Sequence, residues 1–313
     1  MSSAVLEISA KLNAALKERP VPEVGIHPNT SHAEYLRWAG ASNSRLSKLK
    51  RSPAHLKAYL DEPDQDSDAL RIGRAVHSAI LEPDSFTGVY VVAGQCTGVK
   101  KDKARCVNNG KSLTNEGWRC DVHPGALKDL SKAVISASDY AICLKARDAV
   151  HAHASAHRLL IGEGQNELSL AWVDTESGVL CKARHDRHSP VIAGGAVVDV
   201  KTTGDASPRA FERSIYKYSY EVQGAHYLSG ATELHLPADH FVIVAVEKEP
   251  PFGVAVYRLN EAALDAGEEQ RRRLLSLYAE CERTGLYPCY ADEVRDAFLP
   301  DFAWRQIEEE NSQ

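Results

Sequence analysis

Asp199 and Lys201 form a D-x-K triplet at the end of Ala196–Lys201, a run that alternates apolar and polar residues at period two. Side chains two apart in a strand point to one face, so the triplet sets a carboxylate beside an ammonium. The runs Leu168–Val173 and Val179–Arg184 alternate likewise and bring Glu167 and Asp186 with them. With Glu-Ser-Gly and a loop containing Pro and Gly between the runs, residues 166–203 read as a three-stranded meander. Its carboxylates are hard oxygen ligands suited to Mg²⁺ or Mn²⁺, and a lysine beside them can position or activate a nucleophile and offset charge in a phosphoryl transition state. That is hydrolytic phosphodiester chemistry. An acid and a lysine two apart on a strand are usually a solvated surface pair; here Val197, Val198 and Val200 mark a largely buried strand, where such a pair is seldom without a task.

A second constellation lies upstream. Cys96, Cys106, Cys120 and His123 are spaced C-x9-C-x13-C-x2-H in a stretch rich in Gly, Lys and Asn. About thirty residues with almost no aliphatic core need a staple, and three thiolates with an imidazole make a closed tetrahedral Zn²⁺ site. The competing reading is a disordered loop with incidental cysteines. Lys100, Lys101, Lys103, Arg105, Lys111 and Arg119 stand against Asp102, Glu116 and Asp121, so this is the most basic stretch of an acidic chain. It is a candidate contact to a DNA backbone, with a solvated charged loop the equal alternative.

The bulk numbers set limits. A chain of 313 residues, 43% hydrophobic and 26% charged, is a globular chain with room for one large domain. Its net charge of −6 means that DNA would be met by a local patch. No run approaches the ~18 apolar residues of a membrane span, and the N-terminus lacks the apolar segment of a secretory signal. The expectation is a cytoplasmic protein without a membrane partner, whose seven cysteines are free thiols or metal ligands.

The periodicities predict a short amphipathic helix over residues 1–20, then an irregular, loosely held leader. Ser42-Asn43-Ser44 caps a helix over Arg45–Lys50, Ser52-Pro53 opens the next, and Asp68 precedes a third that runs through Leu81. In that third helix Gly73 and His77 share a face. A short strand follows at Val89–Val92, and Ala126–Leu160 reads as a long helical region, its His151, His153 and His157 belonging to a helix end rather than a metal. Beyond the meander come helices over Pro208–Ile215 and Tyr220–Gly230, the second carrying Gln223 and Tyr227 on one face. Strands over His240–Val246 and Gly253–Leu259 and a helix over Glu261–Arg283, with Arg271-Arg272-Arg273 as a solvated face, complete the reading. The tail from Ala291 holds Phe298, Phe302 and Trp304, enough apolar surface to dock on this or an adjacent subunit.

The ordered segments ELSLAW, CKARHD, VVDVKTT and SYEVQGAHY, preceded by SRLSKLKRSPAHLKAYL and ALRIGRAVHSAILEP, carry a resemblance over roughly residues 40 to 290. The chain resembles the PD-(D/E)xK nuclease superfamily and, within it, the phage-type exonuclease VIII (RecE) C-terminal nuclease family. The resemblance implies an α/β fold: a restriction-endonuclease-like core with a mixed central β-sheet flanked by helices. It implies a domain over residues 41–290 with residues 94–125 as a zinc-binding insertion, an N-terminal leader over 1–40 and a tail over 291–313. It implies an Mg²⁺- or Mn²⁺-dependent exodeoxyribonuclease that degrades linear double-stranded DNA from its ends, 5′ to 3′, leaving 3′ tails for recombination. His77, Asp186, Asp199 and the Val200 carbonyl would hold the metal, Lys201 would position or deprotonate the attacking water, and Glu167 would support a second ion or the lysine. Gln223 and Tyr227 would lie against the site, and Gly73 would let its helix approach the sheet. Relatives of this kind form toroidal trimers or tetramers and work beside a single-strand annealing protein. The alternative is a catalytically silent DNA-binding or regulatory protein on the same fold; the intact acid–acid–lysine set speaks against it.

Overall fold

The computed structural model describes residues 19–62, 68–108, 110–114, 117–124 and 132–311. Residues 1–18 of the expected N-terminal helix, and Leu127 and Leu130 of the expected long helix, lie outside them.

Ten strands are described: β1 (Gly25–His27), β2 (Tyr90–Val92), β3 (Ser112–Thr114), β4 (Gly117–Arg119), β5 (Ala133–Ile135), β6 (Gln165–Val173), β7 (Leu180–Ser189), β8 (Ala196–Thr203), β9 (His240–Glu247) and β10 (Val254–Arg258). Six of them form the central sheet in the order β1-β6-β7-β8-β9-β10. Its one parallel pair is β8–β9; every other neighbouring pair is antiparallel. The sheet is therefore mixed. The meander is present as β6, β7 and β8, each longer than its alternating run; β7 continues past Arg184 through Asp186 to Ser189. The turn into β8 passes through Gly194 at φ +78° and Gly195 at φ +73°, backbone that a side chain rarely adopts, and a Cβ on Gly195 would meet the Pro237 carbonyl oxygen at 2.3 Å.

Both faces of the sheet are covered. Val198, Val200, Val242 and Val244 pack on Val76 and Ile80 of the Asp68–Leu81 helix and on Cys143 and Val150 of the Ala137–Ala152 helix. Phe241, Ile243 and Ala245 pack on Phe211 and Leu259 on the other face. Leu168, Leu170 and Trp172 of β6 meet Val222 of the Tyr220–Glu233 helix and Leu274 and Tyr278 of the Glu261–Thr284 helix. Each fully buried aliphatic side chain of this kind contributes about 1.5–3 kcal/mol.

The helix starts follow the cap residues. Ser42 accepts from the Arg45 N–H to open the Asn43–Arg51 helix, and Ser52 accepts from the His55 N–H to open Pro53–Asp61. Later elements differ by a few residues from their expected bounds: Pro208–Tyr218, Tyr220–Glu233 and Glu261–Thr284 are helical. A helix over Pro83–Val89 precedes β2 and takes Val89 from the expected strand.

Four expectations are corrected. The leader is not loosely held over its described part: β1 pairs with β6, the His32–Arg37 helix follows, and Lys182 ties the segment down by donating to the Tyr35 and Trp38 carbonyls at 2.8 Å each. Val134 and Ile135 are in a strand, since β5 pairs in parallel with β2, and helix resumes at Ala137 after the Ser136 cap. Arg271 is not on a solvated face: only 4% exposed, it donates to Asp174 and Glu268 at 2.7 and 2.6 Å. Gly73 is not forced by close approach, because a Cβ there would meet Thr202 Oγ1 at an ordinary 3.7 Å. The three histidines serve their helices: His151 bonds the Ile80 carbonyl, His153 caps the Ala154–Leu160 helix and His157 bonds the His151 carbonyl.

Candidate active site and metal centre

Asp199 and Lys201 share a face of β8, as the period requires: the Lys201 ammonium lies 2.6 Å from Asp199 Oδ2. The other carboxylate oxygen, Asp199 Oδ1, accepts from the Gln223 side-chain amide at 2.6 Å. The Lys201 ammonium also sits over the Tyr220 ring, 5.0 Å from its centroid. Burial pushes this ammonium toward losing its proton, but Asp199 and Asp186 outweigh burial and hold its pKa above the ordinary lysine value. Lys201 is thus a fixed cation at neutral pH.

Beyond the Arg187–Val198 bridge the β7–β8 ladder gives way to a side chain: the Val200 N–H donates to Asp186 Oδ2 at 2.8 Å. His77, from the Asp68–Leu81 helix, brings Nε2 to 3.4 Å from the same Asp186 oxygen and into contact with the Val200 carbonyl. Glu167 joins them through an irregularity of β6. The β6–β7 ladder pairs Asn166 with Arg187 and Leu168 with His185 but skips Glu167, whose φ is +55°. Left-handed backbone at a non-glycine residue costs of order 1–3 kcal/mol and persists where surroundings hold it. The result is that adjacent side chains reach the same helix: Asn166 donates to the Leu81 carbonyl, while Glu167 meets His77.

His77, Glu167 and Asp186 each offer a ligand atom, all within 4.8 Å of one another. This set differs in one member from that implied by the resemblance, since the Asp199 carboxylate faces Lys201 and Gln223. Burial pushes the Asp186 carboxyl up to about 7; His77 draws it down and Asp199 adds to the rise. Crowded, half-buried negative charge of this kind suits a hard divalent cation.

Two residues of the site were not singled out by the sequence. Arg184 donates to Glu167 at 2.6 Å, to Ser169 Oγ at 2.7 Å and to the Thr30 carbonyl at 2.7 Å, fixing Glu167 against the leader. Tyr220 lies under Lys201. Arg184 stands two residues before Asp186 on an alternating strand, a spacing that places it beside the acid; Tyr220 carries no such signal. Tyr227, by contrast, is where the helical period puts it, one turn from Gln223 and packed on the His185 and Phe241 rings at 5.1 and 6.1 Å. Burial, and then Asp199, hold its hydroxyl well above the ordinary tyrosine pKa, so it stays protonated. The whole set opens into a cavity of about 930 Å³ walled by the leader, the His77 helix and Tyr218.

Cys96, Cys106, Cys120 and His123 converge separately. Cys106 and Cys120 sulfurs are 3.8 Å apart, and His123 Nδ1 lies 3.5 Å from Cys120 Sγ and 3.7 Å from Cys96 Sγ. Zinc bonds of about 2.3 Å to sulfur and 2.1 Å to nitrogen in a tetrahedron require edges of roughly 3.8 and 3.6 Å. The cluster therefore has the dimensions of a site that could hold zinc. Burial opposes ionisation of Cys120, yet bonds to His123, the Val122 backbone and Asn108 bring its pKa down to about 6.

A mixed sheet bearing acids and a D-x-K lysine at a cavity defines the PD-(D/E)xK class of α/β proteins. The chain belongs to the family described as PDDEXK-like domain of unknown function (DUF3799), whose sequence profile matches residues 42–296. The fold is similar to the crystal structure of a "Putative exonuclease" from Eubacterium rectale, with a TM-score of 0.51, 14% identity, and coverage of 84% of this chain and 91% of that one. The crystal structure of SSO0001 also matches, at 18% identity over 36% of this chain and 50% of that one, but its TM-score of 0.23 lends it no weight. No curated protein sequence matches the chain. Among the described residues no helix is long and apolar enough to cross a membrane.

Proposed function

We propose that this protein is a metal-dependent exodeoxyribonuclease acting on the ends of linear double-stranded DNA, 5′ to 3′, and leaving 3′ tails for recombination by strand annealing. The observation that carries the reading is the convergence of His77, Glu167 and Asp186 ligand atoms within 4.8 Å of one another, beside the Asp199–Lys201 pair at the cavity. His77, Glu167 and Asp186 would hold Mg²⁺ or Mn²⁺, with the Val200 carbonyl within reach of His77 and Asp199 as their neighbour. Bound there, the cation supplies Lewis-acid polarisation of a phosphodiester and a more acidic water.

The rest of the work falls to the chain. Lys201, kept protonated by Asp199, orients the attacking water and offsets charge on the phosphoryl oxygens; an ammonium held above its ordinary pKa is a poor base, so positioning is favoured over proton abstraction. Gln223 holds the Asp199 carboxylate so that the lysine cannot swing away, and Tyr227 buttresses that helix against β7 and β9. The insertion binds one structural Zn²⁺ through Cys96, Cys106, Cys120 and His123. A cytoplasmic homo-oligomer, a toroidal trimer or tetramer, and a single-strand annealing partner complete the proposal.

The test is an end-labelled linear duplex incubated with the protein and Mg²⁺. Label is lost in a Mg²⁺-dependent manner, and Lys201→Ala slows the loss by about 10²- to 10⁴-fold, the range for removing a group that acts in the transition state. A wild-type protein that leaves the label intact in Mg²⁺ and Mn²⁺ removes the nuclease reading.

A further inference from the structure

A file of aromatic rings leads from the catalytic lysine to the surface. Lys201 lies over the Tyr220 ring, Tyr220 stacks on Tyr218 with centroids 5.7 Å apart and planes 26° apart, and Lys217 lies over the far member at 5.1 Å. Tyr218 is 53% exposed, and Tyr216, in the same last turn of the Pro208–Tyr218 helix, is 80% exposed. Exposed apolar surface rimmed by polar residues is a candidate interaction site.

The file sits on a rigid corner. Ser219, at φ +56°, joins two helices without a spacer, and Lys50 donates to its hydroxyl at 2.6 Å. That bond fixes the basic end of the Asn43–Arg51 helix, with Lys50 and Arg51, against the tyrosines. Tyr218 borders the main cavity and also a smaller one, of about 430 Å³, lined by Ser47, Lys50, Arg51, Lys217 and Ser219. Three cations therefore line a hollow that opens on a ring continuous with the active site.

We infer that Tyr218, with Lys50, Arg51 and Lys217, forms a binding platform for single-stranded DNA, on which a base of the strand reaching Asp186 stacks while the cations take its phosphates. Stacking on a tyrosine is indifferent to base identity, and cations lining one hollow follow a backbone rather than read a sequence. The inference rests on the nuclease reading for the strand's destination, but the binding it predicts does not need cleavage.

The experiment is fluorescence anisotropy of a labelled single-stranded oligodeoxynucleotide with the full chain in Ca²⁺. Tyr218→Ala weakens binding about ten-fold or more, the size of one lost base stack. Tyr218→Phe, which keeps the ring, binds within about two-fold of wild type, and Lys217→Gln lowers the salt dependence of binding by about one counterion. The proposal is overturned if Tyr218→Ala binds as tightly as wild type, if Tyr218→Phe is as weak as Tyr218→Ala, or if Tyr218→Ala changes the oligomeric mass with binding intact, which would make the patch a subunit interface. Failure of the cleavage assay alone leaves these binding results standing.

Discussion

Asp186 accepts the Val200 N–H, faces His77 and lies near two further carboxylates, with its side chain only 16% exposed. Its folded pKa of about 7 stands above the ordinary value of about 3.9. In cation-free protein the folded state keeps a proton that the unfolded chain has released across that interval, so stability falls as pH rises from about 4 to about 7 and the loss is complete above it. Melting curves in EDTA between these limits show the decline, and Asp186→Asn flattens it. Added Mg²⁺ raises the melting temperature most at pH 8, where the carboxylate is ionised; a wild type and a Asp186→Asn variant with equal slopes would dissociate the decline from this residue. The D-x-K pair was legible because period two alone puts Asp199 beside Lys201. Glu167 was legible as a neighbour of the site, but the left-handed backbone that turns it toward His77 was not, since its residue type does not announce one.

The Tyr220–Glu233 helix carries Gln223 and Tyr227, and its placement is set by a glycine on another helix. A Cβ on Gly267 would lie 2.1 Å from the Glu221 carbonyl oxygen and 2.4 Å from its carbon, backbone atoms that cannot step aside as a side-chain end can. Gly267→Ala therefore separates the two helices and destabilises the protein by about 1–3 kcal/mol, measured by urea unfolding. Activity falls with it, because Gln223 leaves Asp199. The insertion is a second element with its own test: metal analysis finds about one zinc per chain, and Cys120→Ser loses it, whereas no zinc above background in wild type ends the zinc assignment. Helices that begin at Ser42 and Ser52 were readable from their caps. β5 was not, because Val134 and Ile135 fit either period and only the partner strand β2 decides between them.

Across the molecule, the coarse fold was readable and its N-terminal margin was not. Polar, turn-rich residues around Gly25–His27 hide a strand that supplies the sheet edge and leads into the Pro28–His32 wall of the site, a tertiary contact with no local signature. The other margin is open: Phe298 is 86% and Trp304 53% exposed, the latter on the Asp301–Asn311 helix. Such surface on a chain proposed to be a homo-oligomer belongs at a subunit contact. Light scattering gives a mass that is a multiple of 34.3 kDa for the full chain, and deletion of residues 291–313 lowers the multiple. An unchanged multiple places the subunit contact elsewhere.

His77 and the Val200 carbonyl meet across 123 positions of chain, and β8 hydrogen-bonds to β9, which is synthesised some forty residues after it. Each contact offsets the entropy of closing its loop only after the loop has closed. During synthesis, then, Asp186, Asp199 and Lys201 emerge well ahead of β9, and a chain that stops short of β9 would lack the proposed nuclease activity. On that reading, a stalled chain carries the site's residues without the site.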